Sequence, residues 1–261
     1  MCDRLVPMGG AEGIERLEAH LHGAAFAPHR HDTYAIGITL SGIQSFRFRG
    51  EQWCCLPGEC HVLHPDETHD GAAETEDGFA YRIAYLDPAL VQEALGGEPL
   101  PFVACPIVPA SRLGAVSALW DPEAAMDDEA KTELVVAAAD LLRAASGIAG
   151  APQVLALERL RRVRTCIADS PSQRLHMAQL ERIAGLDRWT LARQFRAAFG
   201  TSPSRFRTMR QLDLVRQSLR CGMSLAEAAL GAGFADQSHM SRQFKAAYGV
   251  SPGAWISATR P

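Results

Sequence analysis

The sequence predicts an α+β multidomain protein, with an N-terminal antiparallel β-barrel carrying helices and a C-terminal all-α domain of two helix-turn-helix units. Three observations carry that expectation. ArgGlnPheArgAlaAlaPheGly at Arg193–Gly200 returns as ArgGlnPheLysAlaAlaTyrGly at Arg242–Gly249. Short alternating segments punctuated by Gly and Pro fill the first hundred residues. Charge is segregated: residues 151–261 hold 17 Lys and Arg against 7 Asp and Glu, a net +10, whereas residues 1–150 hold 9 against 23, a net −14.

The repeat extends to Ala184-Gly185-Leu186 against Ala232-Gly233-Phe234, and to Ser202-Pro203 against Ser251-Pro252. Its offset is 48 residues before the turn and 49 after, so one extra residue lies between Phe234 and Met240. In the first unit, Met177–Ala184 presents Leu180, Ile183 and Ala184 at helical spacing, Gly185 ends that helix, and Asp187 caps the next. The following helix places Leu191, Phe195 and Phe199 on one stripe and leaves Arg188, Trp189, Thr190, Arg193 and Arg196 outward. The second unit puts Met240, Phe244 and Tyr248 inside, and Gln237, Ser238, His239, Ser241, Arg242 and Lys245 outside. Two helices joined by a glycine turn, the second exposing Arg, Gln, Ser and Thr near its start, suit a helix-turn-helix in a DNA major groove. Arg pairs bidentately with guanine and Gln with adenine. The alternative is a structural helical repeat with solvated faces. The local excess of positive charge weighs against it, because approach to phosphate needs that field.

With GlyPheAlaAspGlnSerHisMetSerArgGlnPheLys at Gly233–Lys245 and SerProGlyAlaTrp at Ser251–Trp255, the last hundred residues resemble the AraC-type (AraC/XylS) transcription regulators. The resemblance implies two units joined by a long helix, here Ser204–Leu219, each inserting a recognition helix into successive major grooves of double-stranded promoter DNA. By position it implies base contact from Trp189 and Arg193 in the first unit and from Gln237, Ser238, His239 and Arg242 in the second. Arg188 and Thr190 are their neighbours. For Trp189, packing at the domain edge is the alternative. One departure stands out: the family often has Arg-Leu in the middle of the joining helix, and this chain has Gln211-Leu212, with Arg210 one place earlier. The resemblance also implies a homodimer and names RNA polymerase as a further partner.

In the N-terminal half, Tyr34, Ile36, Ile38 and Leu40 alternate with smaller residues, Phe46 and Phe48 alternate with polar ones, and Phe79–Leu86 alternates again. HisArgHis at His29–His31, Gly42, ProGlyGlu from Pro57 and HisProAspGluThrHis at His64–His69 resemble the cupin-like sensing domain common in front of AraC-type DNA-binding domains. A barrel interior of Tyr34, Phe46, Trp53, His69 and Tyr81, with Arg82 nearby, would hold a small polar effector, the alternative being that these residues only fill the barrel. The assignment depends on strand phase, which a one-residue slip reverses. Seven of the nine histidines fall between His20 and His69. In cupin enzymes a His-x-His pair, a carboxylate and a later His hold a divalent ion, and His29, His31 and His69 match the histidines. The residues after His31, Asp32-Thr33-Tyr34-Ala35-Ile36, contain no Glu. No metal is favoured and no cofactor expected, and the cluster reads as vestigial or ligand-binding; the alternative is a divalent metal in the barrel, since three His bind zinc without a carboxylate. The protein reads as a regulator and not an enzyme. The alternative is a metal-dependent cupin enzyme or metal sensor fused to a DNA-binding domain.

Lys131–Ala145 reads as an amphipathic helix for dimerisation or for covering a barrel edge. The expected domains are 1–145 for effector binding and dimerisation, a linker at 146–153, and a DNA-binding domain at 154–261. The last opens with a basic helix, Val154–Ala168, whose Leu155, Leu157, Leu160, Val163 and Ile167 supply core. Seven irregularly spaced cysteines and the lack of an N-terminal apolar stretch predict a reducing cytoplasm, with Cys54, Cys55 and Cys60 as thiol-sensor candidates. No apolar run approaches the ~20 residues that cross a bilayer, so no membrane partner is expected.

Overall fold

The computed structural model describes residues 3–124, 126–146 and 154–259. The expected linker, beyond Ser146, lies outside the described residues.

The N-terminal half forms two antiparallel sheets. One runs β1 (Arg4–Ala11), β2 (Ile14–Leu21), β9 (Phe79–Leu86), β4 (Tyr34–Ser41), β7 (Cys60–Leu63) and β10 (Ile107–Val108); the other runs β3 (Phe26–His29), β8 (His69–Ala73), β5 (Gln44–Phe48) and β6 (Glu51–Cys55). The expected barrel is thus two facing sheets, with no strand hydrogen-bonded across to close it among the described residues.

The pleat of β4 and β9 decides which side chains meet which core. Ala35 on β4 and Phe79, Tyr81 and Ile83 on β9 face Phe46 and Phe48 of the opposite sheet. Tyr34, Ile36, Ala84 and Leu86 face the other way, into a second core. That outer face is covered by α1 (Pro88–Ala94) and α2 (Asp128–Ser146), the latter burying Leu134, Ala138, Leu141 and Leu142. The Trp120 indole N–H donates to the Ile36 carbonyl at 2.9 Å and ties the segment between α1 and α2 to β4. The expected amphipathic helix therefore lies across the larger sheet.

The C-terminal half is helical: α3 (Leu157–Asp169), α4 (Met177–Ala184), α5 (Arg188–Phe199), α6 (Pro203–Arg220), α7 (Leu225–Gly231), α8 (Gln237–Tyr248) and α9 (Pro252–Thr259). It holds two small cores. Leu160, Val163, Ile167, Leu191, Phe195 and Phe199 gather under the first unit. Met240, Phe244 and Trp255 gather under the second. The long helix α6 serves both, giving Phe206 to the first and Met209, Leu212, Val215 and Leu219 to the second.

Both recognition helices start on side-chain caps: Asp187 accepts from the Trp189 and Thr190 N–H groups at 3.0 and 3.1 Å, and Asp236 from that of His239 at 2.7 Å. One residue separates Gly185 from Asp187, and two separate Gly233 from Asp236, which locates the extra residue of the second unit. Gln211 is buried and donates to the Ala232 and Gly233 carbonyls at 2.8 and 3.2 Å. Its amide thus satisfies the end of α7 and is not free for a phosphate. Gln211→Ala is expected to lower stability by about 1–3 kcal/mol in urea denaturation, since it strands the buried Ala232 carbonyl. An unchanged midpoint would show that this carbonyl does not depend on Gln211.

Candidate nucleic-acid interface and effector cavity

Arg188, Trp189, Thr190 and Arg193 occupy the first two turns of α5, and Gln237, Ser238, His239 and Arg242 the matching turns of α8. Arg188, Arg193, Gln237, Ser238 and Arg242 are exposed, and Thr190 and His239 are half-buried. Trp189 is 72% exposed, so it packs into neither core. His239 sets its ring edge-on to Phe234 at 5.5 Å. The face combines two helix N-termini with arginines, amides and hydroxyls, the groups that contact phosphates and base edges.

The opposite ends of the same helices are docked on the N-terminal domain. Leu100 N–H donates to the Ala197 carbonyl at 3.1 Å and Arg30 N–H to the Ala246 carbonyl at 3.0 Å. Ala197 and Ala246 are equivalent positions of the repeat. So are Gly200 and Gly249, both left-handed with φ of 73°. A Cβ on Gly200 would lie 2.5 Å from Pro65 Cβ, and one on Gly249 2.8 Å from His29 Nδ1. Glycine is thus required twice over, by the backbone and by the neighbour. Ala27 N–H also donates to the Gly249 carbonyl at 3.1 Å.

Around this seam the acidic domain meets the basic one. Asp66 faces Arg196 at 3.0 Å, Asp32 faces Arg210 at 2.9 Å, Asp87 pairs with Arg164 and Glu15 with Arg216. Burial pushes the Asp32 carboxyl up to about 6 against the pull of Arg210.

A cavity of about 370 Å³ reaches from between the sheets to this seam. His61, Gln44, Leu63 and Ile83 line it on one side, and Phe206, Met209 and Tyr248 on the other. His61 is wholly buried over Gly37, where a Cβ would sit 2.4 Å from its ring. Neither of its ring nitrogens has a hydrogen-bond partner among the described residues, nor has the Gln44 carbonyl oxygen. Burial pulls His61 down to about 4, so it is neutral at physiological pH.

Of the side chains expected to form the effector pocket, His69 and Tyr81 line this cavity. Phe46 shares the inner core and stands 5.7 Å from the His61 ring, and Trp53 pairs with Phe46 across β5 and β6; neither is part of the wall. Tyr34 and Arg82 belong to the other face, which corrects their assignment. Tyr34 donates its hydroxyl to Pro101 at 2.8 Å within the core under α2. Arg82 donates to Glu18 at 2.7 Å and to the Trp120 carbonyl at 3.1 Å. Both are on the outward phase of β4 and β9, where Tyr34 opposes Leu86 and Ile38 opposes Arg82. His61 and Gln44 were not among the expected residues. Gly37 inside a strand is the signal that would have pointed to a close approach there.

His29, His31 and His69 come together as the His-x-His match implied, each offering a ligand atom within 4.8 Å of the others. Each Nδ1 sits on a backbone carbonyl: Ala27 at 2.9 Å, Thr33 at 2.9 Å and Glu67 at 3.0 Å. A carbonyl only accepts, so Nδ1 carries the hydrogen and the Nε2 lone pairs stay free. Burial pulls His29 to about 4, His31 to about 3 and His69 well below its usual value, which keeps the rings neutral. Asp32 is committed to Arg210 and adds no carboxylate to the cluster. Among the cysteines, Cys55 and Cys60 are buried, and burial raises the Cys55 thiol to about 11, the reverse of a reactive thiolate.

Tandem helix-turn-helix units joined to a cavity-bearing two-sheet domain define a DNA-binding protein with a ligand-binding domain. Residues 13–133 match the AraC-like ligand binding domain family and residues 180–258 a helix-turn-helix domain family. The chain belongs to the AraC-type transcription regulators, with an N-terminal ligand-binding domain. It is 24% identical over 246 residues to the uncharacterized HTH-type transcriptional regulator YbfI of Bacillus subtilis (strain 168), covering 86% of this chain and 88% of that one. In fold it is similar to ToxT from Vibrio cholerae, at 11% identity and a TM-score of 0.67 over 95% of this chain and all of that one. Wild-type ToxT from strain SCE256, bound to an unsaturated fatty acid, is similar with a TM-score of 0.66 at 11% identity, over 96% of this chain and 97% of that one.

Two alanine substitutions separate backbone strain from domain docking. Gly222 is left-handed with open space around its Cβ position, whereas Gly249 is left-handed and abuts His29. Gly222→Ala is expected to cost about 1–2 kcal/mol from the backbone alone. Gly249→Ala should cost measurably more in the same urea titration; equal costs would show that α8 does not seat tightly on His29.

Proposed function

We propose that the protein binds promoter DNA as a cytoplasmic homodimer and adjusts that binding to a small effector held in the cavity, without catalysing a reaction. The DNA contacts assigned to it are Arg188, Trp189, Thr190, Arg193, Gln237, Ser238, His239 and Arg242. One observation carries this reading: both recognition helices expose their N-terminal turns while their C-terminal ends rest on the domain that holds the cavity. A molecule that fits the cavity better in one domain arrangement than in another shifts the population toward it, and one with equal affinity for both shifts nothing.

The wall favours a molecule with an apolar body and one polar group. Leu63, Ile83, Phe206 and Met209 supply the apolar surface, and His61 and Gln44 the unpartnered polar atoms. The fatty-acid-bound ToxT structure makes unsaturated fatty acids the first class to try. The two-sheet domain is read as cupin-like. The outward side of α2, where Val136 is 45% exposed, is the dimerisation surface that the family pattern favours. RNA polymerase is the expected partner at the promoter. No helix among the described residues is long and apolar enough to cross a membrane.

Titrating the protein with DNA from upstream of its own and neighbouring genes, at several salt concentrations, tests the reading. Arg193→Ala and Arg242→Ala should each cost about 1–3 kcal/mol at the specific site and far less on random DNA. Equal losses on both would make these arginines phosphate contacts only. For the effector, a thermal-shift screen should find a ligand that raises the melting temperature in proportion to the logarithm of its concentration above Kd. That shift should vanish in a variant with His61 replaced by Phe, and a shift that survives would place the ligand elsewhere.

A further inference from the structure

The histidine cluster lies where the sensing domain touches the second recognition helix. His29 is both one of the three converging rings and the surface against which Gly249 packs. The residues flanking it, Ala27 and Arg30, donate their N–H groups to the Gly249 and Ala246 carbonyls at the end of α8. The Arg30 carbonyl accepts from Arg205 of α6, and Asp32, next to His31, pairs with Arg210 of the same helix. Residues 27–32 therefore carry two of the three converging rings and a run of bonds to the DNA-binding domain.

We propose that His29, His31 and His69 bind one divalent transition-metal ion of the zinc class through Nε2, and that its occupancy fixes residues 27–32 as the seat of the second recognition helix. The donor set fits: three neutral imidazoles, each oriented by an Nδ1–H···O=C bond, are the usual supporting arrangement for metal-bound histidine. Zn–N bonds of about 2.0–2.1 Å call for ring nitrogens closer together than the outer limit of this cluster, so the rings turn slightly inward on binding. All three histidines line the cavity, so coordination positions left open by the protein face it. Asp32 stays with Arg210, and water or an effector donor atom completes the shell. The metal then acts as a co-regulator: without it residues 27–32 loosen, and with it the C-terminal end of α8 is held. This goes beyond effector sensing and does not depend on the identity of the effector.

The test uses tag-free, full-length protein stripped with a chelator, dialysed and titrated with zinc chloride by calorimetry, with metal content measured after gel filtration. One equivalent per chain is expected, and His31→Ala and His69→Ala should each weaken binding by about 100-fold or more, a ligand mattering more than the supporting shell around it. Independently of whether either variant folds, cobalt(II) loading of the unaltered protein gives a second readout, with visible d–d bands expected from nitrogen ligation. Less than about a tenth of an equivalent of zinc, well below the single filled site that a structural or catalytic zinc centre requires, together with a cobalt spectrum like that of the free ion, would overturn the site. For the coupling, zinc should slow amide exchange at Ala27 and Arg30 by about tenfold or more, as local opening becomes costlier. Unchanged exchange at saturating zinc would refute the link to α8.

Discussion

Each recognition helix ends in a left-handed glycine that the sensing domain covers. Gly200 meets Pro65, Gly249 meets His29, and the carbonyls of Ala197 and Ala246, three residues before each glycine, accept N–H groups from the other domain. The duplication thus does two jobs with one sequence. The first turns of α5 and α8 face outward with Arg, Gln, Ser and Trp, and the last turns are small enough for a backbone to approach. Helix α6 runs through both cores and sets the distance between the units from within, while the sensing domain holds the far ends from outside.

Charge segregation takes on a second meaning in this arrangement. The net positive charge of the C-terminal half suits DNA, but part of it is engaged at the seam: Arg164, Arg196, Arg210 and Arg216 face Asp87, Asp66, Asp32 and Glu15. Pairs that keep one partner half-exposed, such as Arg196 with Asp66, add little stability individually and weaken with salt. The backbone bonds and the glycine contacts are what define the docked geometry. A seam of modest strength, with a cavity running into it, suits a protein whose domains respond to a ligand.

The helical half was legible because its signals are local. Apolar stripes at 3.6-residue spacing, Asp187 as a cap and the glycine turns all reappear as expected, as does the extra residue after Gly233, and Asp236 caps the second recognition helix as Asp187 caps the first. The strands were legible as strands but not in phase. The larger sheet is buried on both faces, by the second sheet and by α1 and α2, so hydrophobicity does not say which face is which. Tyr34 was assigned to the inner face, with Arg82 near it, on that account; Tyr34 lies in the core under the covering helices, and Arg82, on the same outward phase, binds Glu18 and the Trp120 carbonyl. Two further features depend on contacts distant in sequence: His61 enclosed over Gly37, and the seam built from Ala246, Gly249 and residues 27–32. The His-x-His pair and His69 were visible as a set, but their shared Nδ1–carbonyl orientation was not, because it depends on the backbone path around each ring.

On this structure the sensing domain and the paired helix-turn-helix units hold one defined geometry. Spin labels at positions 52 and 237, both exposed and on opposite sides of the seam, would measure it directly once Cys2, Cys54, Cys105, Cys166 and Cys221 are replaced by Ser, leaving only the buried Cys55 and Cys60. Pulsed electron resonance should return a single narrow distance distribution in the absence of DNA and effector. A broad distribution, as from two domains moving independently, would contradict the account.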